Sequence, residues 1–93
     1  MENQMDPRQM AEWLAEVIKG IVLYPEEVSV EAKEPDEMGV LFTAKVNSRD
    51  AGRVIGKGGQ NAAKIRAILD IAGFHHGIRA SLKIDVPELE KRS

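Results

Sequence analysis

The sequence predicts an α+β domain in which three helices pack on a three-stranded sheet. Apolar residues recur every three to four positions near the start of the chain and again after residue 60, as in helices with one buried stripe. Three other segments alternate apolar and polar residues, which is typical of half-buried strands. A chain of 93 residues is expected to form one domain with a single core.

The first predicted element is a helix that begins at Pro7. Asp6 is expected to cap its amino end, and Gln9 is placed to complete a capping box. Gly20 is expected to stop the helix. The predicted buried stripe consists of Met10, Trp13, Leu14, Val17, Ile18 and Ile21.

Two strands are predicted next, after Tyr24-Pro25 interrupts the helical pattern. Apolar and polar residues alternate over Val28–Ala32 and over Val40–Val46. The acidic stretch between these segments is expected to form a turn.

Two helices joined by a glycine-rich turn are predicted after the second strand. The first is short, is capped by Ser48 or Asp50, and runs to Ile55. The second extends from about Gln60 to Ala72. Its predicted buried stripe consists of Ala62, Ile65, Ile68, Leu69 and Ala72.

The last predicted element is a strand over Ala80–Val86, which ends at Pro87. Gly73 is expected to stop the preceding helix, so that Gly73–Gly77, which includes both histidines, forms a reversing loop. We expect residues 1–6 to form a disordered leader, residues 7–86 the domain, and residues 87–93 a charged tail.

Charge is distributed unevenly along the chain. The formal net charge is −2, yet residues 45–66 carry six basic side chains against one acidic residue, a net charge of +5. Such an island attracts a polyanion to one place while the acidic remainder repels it elsewhere. A solvated surface without a function is the alternative interpretation. The basic residues are Lys45, Arg49, Arg53, Lys57, Lys64 and Arg66.

The turn Gly56-Lys57-Gly58-Gly59 is the main functional signal of the sequence. Glycines without a Cβ let a sugar-phosphate chain approach the peptide backbone closely. The first N–H groups of the following helix are unpaired and lie at the positive end of its dipole. With Lys57 as a mobile charge at its tip, the turn is predicted to hold the phosphate backbone of a nucleic acid.

The element order, with Ile55 and this glycine turn between two helices, resembles a KH domain of the bacterial type II arrangement. It is most similar to the small stand-alone bacterial KH proteins of the KhpA family. The likeness extends from about Met10 to Val86. It implies that about four unpaired RNA nucleotides lie across the turn, with their bases facing an aliphatic groove.

Eight residues are predicted to contact RNA. Val54 and Ile55, with Ile65 beside them, are candidates for the aliphatic groove, but core packing is their alternative role. Arg53 and Lys64 are predicted to contact phosphate, and solvated surface charges are the alternative. The predicted site consists of Arg53, Val54, Ile55, Gly56, Lys57, Gly58, Gly59 and Lys64.

The resemblance also implies partners, because one such domain reads few bases. A homodimer, or a complex with a Jag-type KH protein (KhpB, also called EloR), is expected. The implied role is an RNA chaperone or post-transcriptional regulator. The alternative is a protein-interaction or dimerisation module in which RNA contact is incidental.

Other chemistry finds no support in the sequence. The turn is not a Walker A loop, because three residues rather than four separate Gly52 from Gly56 and Gly58 follows the lysine. It is not a dinucleotide fingerprint either, because Asn61 occupies the third glycine position. We therefore expect a protein that is not an enzyme and has no small-molecule substrate.

Metal, cofactor and membrane functions are not expected. The adjacent pair His75-His76 has a spacing that rarely allows two ligands on one ion, and the chain has no cysteine. No apolar run approaches the length of about 18 residues that a membrane span needs. These observations predict a cytoplasmic protein.

Overall fold

The computed structural model describes residues 4–85 as three helices and a three-stranded sheet, in the predicted order. This confirms the predicted α+β class. The elements are helix α1 (Pro7–Lys19), strands β1 (Ser29–Ala32) and β2 (Val40–Lys45), helices α2 (Ala51–Ile55) and α3 (Gln60–His76), and strand β3 (Ala80–Asp85). Short 3-10 turns cover Pro25–Glu27, Ser48–Asp50 and Lys57–Gly59. Residues 1–3, Val86 and the predicted tail at 87–93 lie outside the described residues.

Helix α1 begins with the predicted capping box. The Asp6 carboxylate accepts the Gln9 N–H at 2.8 Å, and the Gln9 side chain accepts the Asp6 N–H at 3.0 Å. Gly20 is the residue that ends the helix, as predicted. The burial predicted for Ile21 is wrong, since this side chain is 43% exposed. Ile21 lies beyond the end of the helix, so the helical periodicity does not extend to it.

Strand β2 forms the centre of the sheet. It pairs antiparallel with β1 and parallel with β3. The parallel pair requires a long crossover, which α2 and α3 provide. The fully buried Phe42 lies opposite Ala32 on one side and Leu82 on the other. Helix α1 packs along β1 and α3 packs along β3, so the core lies between these helices and the sheet.

Helix α3 continues one turn beyond its predicted end. Gly73 is buried inside the helix, and the left-handed Gly77, with φ of +69°, ends it. The predicted loop Gly73–Gly77 is therefore wrong, and both histidines lie in the last helical turn. Gly73 instead allows the helix to lie close to the backbone of Ile78, because a Cβ at this position would overlap the carbonyl oxygen of Ile78.

The end of α3 also holds the chain that precedes α1. The backbone N–H of Met5 donates to Nδ1 of His76 at 2.9 Å. Met5 packs against the core, and Asp6 caps α1. Met5 and Asp6, which were predicted to belong to the leader, thus contact the domain. The disorder predicted for residues 1–3 stays a prediction, because these residues lie outside the described part of the chain.

Gly73→Ala is expected to lower the free energy of unfolding by roughly 1–3 kcal/mol, because the added methyl group overpacks the contact with Ile78. Alanine improves helix propensity by about 1 kcal/mol at most, so the steric cost prevails. Urea unfolding followed by circular dichroism measures the change. A variant as stable as the wild type would show that this contact is not tight.

The outward side of α3 is apolar as well. Ile68 was predicted to be buried, but it is 42% exposed, and Ile71 and Phe74 are 61% and 85% exposed. Ile68 lies about 100° around the helix from the buried Leu69, which turns it away from the sheet. Among residues 4–85, no helix is both long enough and apolar enough to cross a membrane.

Candidate nucleic-acid interface

The residues Gly56–Gly59 join α2 to α3 in one tight turn. The Gly56 N–H donates to the Gly52 carbonyl at 2.8 Å and ends α2, and the Gly59 N–H donates to the Gly56 carbonyl at 3.1 Å. Gly56, Gly58 and Gly59 all have positive φ, at +78°, +64° and +79°. Residues with a Cβ rarely adopt such a backbone, so the turn depends on glycine, as the sequence predicts.

Asn61 locks this turn from the side of α3. Its side-chain amide donates to the Arg53 carbonyl at 2.7 Å and so connects the end of α2 to the first turn of α3. A Cβ on Gly56 would lie 2.7–2.9 Å from Asn61 atoms. This role of Asn61 was not predicted, because the residue was considered only as the one in place of the third glycine of a dinucleotide fingerprint. An amide side chain in the first turn after a glycine loop is the signal that could have identified it.

The outer face of the turn is open. Lys57 and Gly58 are exposed, and a Cβ on Gly58 or Gly59 would meet no atom of the described residues within 4 Å. Within residues 4–85, no side chain caps the amino end of α3. The N–H of Gln60, the first residue of α3, already donates to the Lys57 carbonyl. The N–H groups that follow it in the first turn are therefore the ones available to an anion, which the helix dipole also favours.

The predicted phosphate ligands flank the turn on both helices. Arg53 lies on α2 just before Gly56, and Lys64 lies in the first turns of α3. Both are exposed, as are the other four basic residues of the segment 45–66. The structure therefore brings Arg53, Lys57 and Lys64 to one end of the helix pair.

Asp50, the one acidic residue of this segment, is fully buried. It immediately precedes α2, but its carboxylate does not cap that helix. Instead it accepts the backbone N–H groups of Leu23 and Tyr24 at 2.9 and 3.1 Å, and one oxygen lies 3.6 Å from Nε of Arg53. Asp50 thus occupies the N-cap position of α2, one of the two predicted, but its side chain makes no capping hydrogen bond. Because Asp50 is buried, the exposed charged side chains of the segment 45–66 are all basic.

Val54 and Ile55 take different positions. Val54 is fully buried in the core, and Ile55 is half-buried beside the turn. Ile65 is buried as well. Of the two roles that the sequence left open for Val54, the structure shows core packing, and Ile55 is the aliphatic side chain next to the turn that reaches the surface.

Comparison with known proteins agrees with this geometry. The sequence profile of the family described as "KhpA/KhpB, KH domain" matches residues 11–84. The RNA-binding protein KhpA of Leifsonia xyli subsp. xyli is 40% identical over 76 residues, which cover 82% of this chain and 99% of the relative. Its namesake in Chlamydia pneumoniae is 33% identical over 75 residues, which cover 81% and 95% of the two chains.

A third relative is the RNA-binding protein KhpA of Thermotoga maritima, which is 41% identical over 61 residues, covering 64% of this chain and 79% of the relative. No solved structure gives a significant match. The profile covers both helices of the glycine turn, β1, β2 and all but the last residue of β3. This chain therefore belongs to the KhpA/KhpB family of KH domains.

Proposed function

We propose that this chain binds single-stranded RNA, with the sugar-phosphate backbone lying against the Gly56–Gly59 turn. The observation that carries the proposal is the exposed glycine turn in front of the uncapped amino end of a 17-residue helix. Similar proteins from three bacteria carry the name RNA-binding protein KhpA.

Each predicted residue has a role in this proposal. Gly58 and Gly59 leave room for the strand, Gly56 lets the turn close against Asn61, and N–H groups after Gln60 in the first turn of α3 donate to a phosphate. Lys57 lies at the tip, and Arg53 and Lys64 contact phosphates on either side. Ile55 supplies an apolar contact for one base, and Val54 supports α2 from the core. About four nucleotides span such a turn.

The proposed binding is weak and has a shallow salt dependence. The turn, α2 and the first turns of α3 contain no aromatic residue, so base stacking contributes little there. If two or three phosphates are neutralised, the log–log slope of affinity against salt is about −1.4 to −2.1, from about 0.7 per contact in single strands. Fluorescence anisotropy of a labelled single-stranded RNA at several salt concentrations measures this slope.

Nuclear magnetic resonance during the same titration locates the contact. We expect the amide signals of residues 56–62 to move with single-stranded RNA and to move much less with a duplex of the same sequence. If saturating single-stranded RNA left these signals in place, the proposed function would be wrong.

We also propose that two copies of this chain pair through the outward side of α3. Ile68, Ile71 and Phe74 are exposed apolar side chains at helical spacing, and a helix that is apolar on two sides is typical of a second buried contact. If two α3 helices cross antiparallel at Ile71, Phe74 of each copy lies beside Ile68 of the other copy. A two-fold interface requires such reciprocal contacts.

A groove beside Ile68 supports this arrangement. It has a volume of about 220 Å³ and also contains Val17, Ile21 and Ile65 among its lining residues. This groove offers Phe74 of the second copy an aliphatic site. Two RNA-binding turns on one dimer would raise avidity for a longer RNA, which fits a role as an RNA chaperone or post-transcriptional regulator.

Ile71→Asp is expected to convert a dimer into a monomer of 10.3 kDa, because it places a charge at the centre of the apolar contact. Light scattering after size exclusion measures the mass. Met38→Asp is the matched control, since Met38 is an apolar side chain even more exposed than Ile71 but lies in the turn before β2. A monomeric wild type would contradict the homodimer, and a Jag-type KH protein would then be tested as the partner of the same face.

RNA binding by this variant and by the wild-type dimer together separates the two functional interpretations. If the chain is primarily an RNA-binding protein, Ile71→Asp leaves the affinity of each monomer for a short RNA unchanged. A tight dimer that binds no RNA under any salt condition would favour the interaction module.

A further inference from the structure

Strand β1 has an open edge on the side of the sheet far from β3. The sheet order is β1-β2-β3, so β2 is its only neighbour among the strands of residues 4–85. The Lys33 N–H donates to the Leu41 carbonyl at 2.8 Å, within the same register that pairs Glu31 with Thr43. Hydrogen-bonded pairs alternate along an antiparallel ladder, so the N–H and C=O groups of Val30 and Ala32 point away from β2.

A groove runs along this edge. It has a volume of about 570 Å³, and its two walls are the first turns of α1 and the consecutive residues 30–35. Because every residue of the strand from Val30 onward lines it, the groove follows the strand edge rather than one face of the sheet. Val30 and Ala32 pack partly against the core, and with the buried Ala11 they provide an apolar floor.

The surroundings of this edge are acidic. Residues 26–37 contain six acidic side chains and one lysine, a net charge of −5, in contrast to +5 for residues 45–66. Glu31 and Glu34 line the groove and are exposed. The basic residues of the groove are Lys33 and Arg8, and Arg8 already lies 4.0 Å from Glu12. This field repels RNA and attracts a cationic ligand.

We propose that the open edge of β1 binds an extended basic segment of a partner protein, which adds a fourth strand to the sheet. The backbone of the segment pairs with Val30 and Ala32, which is the mode of strand addition known for exposed sheet edges. Its lysine or arginine side chains lie near Glu31 and Glu34 and give the site its preference. The edge is separate from the glycine turn, so one chain can hold RNA and this segment together.

The first experiment uses the full chain and two short capped peptides, one alternating lysine and valine and the other alternating glutamate and valine. With the lysine peptide we expect the amide signals of Val30 and Ala32 to move and to gain protection from hydrogen exchange. The glutamate peptide is expected to leave them in place. Equal binding of both peptides, or movement of the same signals with single-stranded RNA, would overturn the proposal.

Two variants test the two components of the site. Ala32→Pro removes an outward N–H and keeps the bonds to β2, since proline is tolerated at edges where its nitrogen faces solvent. This variant is expected to bind the lysine peptide with about tenfold lower affinity. The double variant Glu31→Lys with Glu34→Lys is expected to have about tenfold lower affinity for the lysine peptide and higher affinity for the glutamate peptide.

The outcomes are distinguishable even if Ala32→Pro folds poorly, because the charge reversal changes exposed side chains only. Unchanged affinity for the lysine peptide in the charge-reversed variant would refute the site. The double variant Lys57→Asp with Gly58→Asp serves as the control for the RNA site, and it is expected to bind the lysine peptide like the wild type.

Discussion

Replacement of both Lys57 and Gly58 by aspartate is expected to lower the affinity for single-stranded RNA by about a hundredfold or more. The change turns one positive charge into two negative charges where the phosphate is proposed to lie, and juxtaposed like charges cost several kcal/mol. Both residues are exposed, and a Cβ on Gly58 meets open space. Aspartate is also among the residues that adopt a left-handed backbone such as that of Gly58 most readily.

The chain contains a matched control for this variant. Lys19-Gly20 at the end of α1 is the same dipeptide, so its replacement by two aspartates makes an identical change of charge and composition. Gly20 has φ of −72°, which aspartate adopts without strain. We expect this control to lose much less RNA affinity than the variant of the turn, since its new charges lie on α1 and its following residue and salt weakens the action of exposed charges that do not touch the RNA.

Fluorescence anisotropy measures the affinities of both variants, and far-UV circular dichroism with thermal melting verifies their folds. The control loses the Lys19–Glu16 contact at 3.3 Å and a favourable positive charge at the carboxyl end of α1. Its melting temperature is therefore expected to be slightly lower than that of the wild type. Wild-type RNA affinity in a folded variant with aspartate at 57 and 58 would show that RNA, if bound, lies elsewhere on the chain.

The fold could be predicted from the sequence where its causes are local. The capping box of α1 depends on Asp6, Pro7 and Gln9, which are neighbours in the chain, and it forms as predicted. The alternation of β1 and β2 depends on burial of one face, and that pattern is visible in the sequence as well. Local causes therefore explain the correct order of elements.

The end of α3 could not be predicted because its cause is a tertiary contact. Glycine after a helical stripe usually indicates a helix end, and Gly73 fits that pattern. In the fold, however, the chain returns toward β3 so closely that only glycine fits beside Ile78. Sequence alone does not show which of these two roles a glycine has.

In the candidate site, too, the features with local causes were predicted and those that depend on tertiary contacts were not. The glycines of the turn were predicted because a positive φ restricts the residue type directly. The role of Asp50 was missed because its partners Leu23 and Tyr24 are 27 and 26 residues away in the sequence. The exposed apolar side of α3 was not predicted for another reason. A helix was expected to bury only one stripe, so Ile68 was assigned to the core and no role was assigned to Ile71 and Phe74.

Gly56→Ala is expected to be the most destabilising single change in the turn, with a loss of roughly 2–5 kcal/mol in the free energy of unfolding. Two costs combine at this position. Alanine is strained at φ of +78° and ψ of 169°, and its methyl group would lie 2.7–2.9 Å from Asn61 atoms. For a domain of this size, such a loss lowers the melting temperature by about 4–8 °C per kcal/mol.

Two neighbouring glycines separate these costs. Gly59→Ala is strained at φ of +79° but has open space, so it is expected to lose only about 1–2 kcal/mol. Gly52→Ala lies within α2 with nothing near its Cβ, so it is expected to gain up to about 1 kcal/mol. Urea unfolding of the three variants should rank them in that order. If Gly56→Ala were no less stable than Gly59→Ala, backbone strain alone would explain the loss, and the contact between Gly56 and Asn61 would have no part in holding the turn.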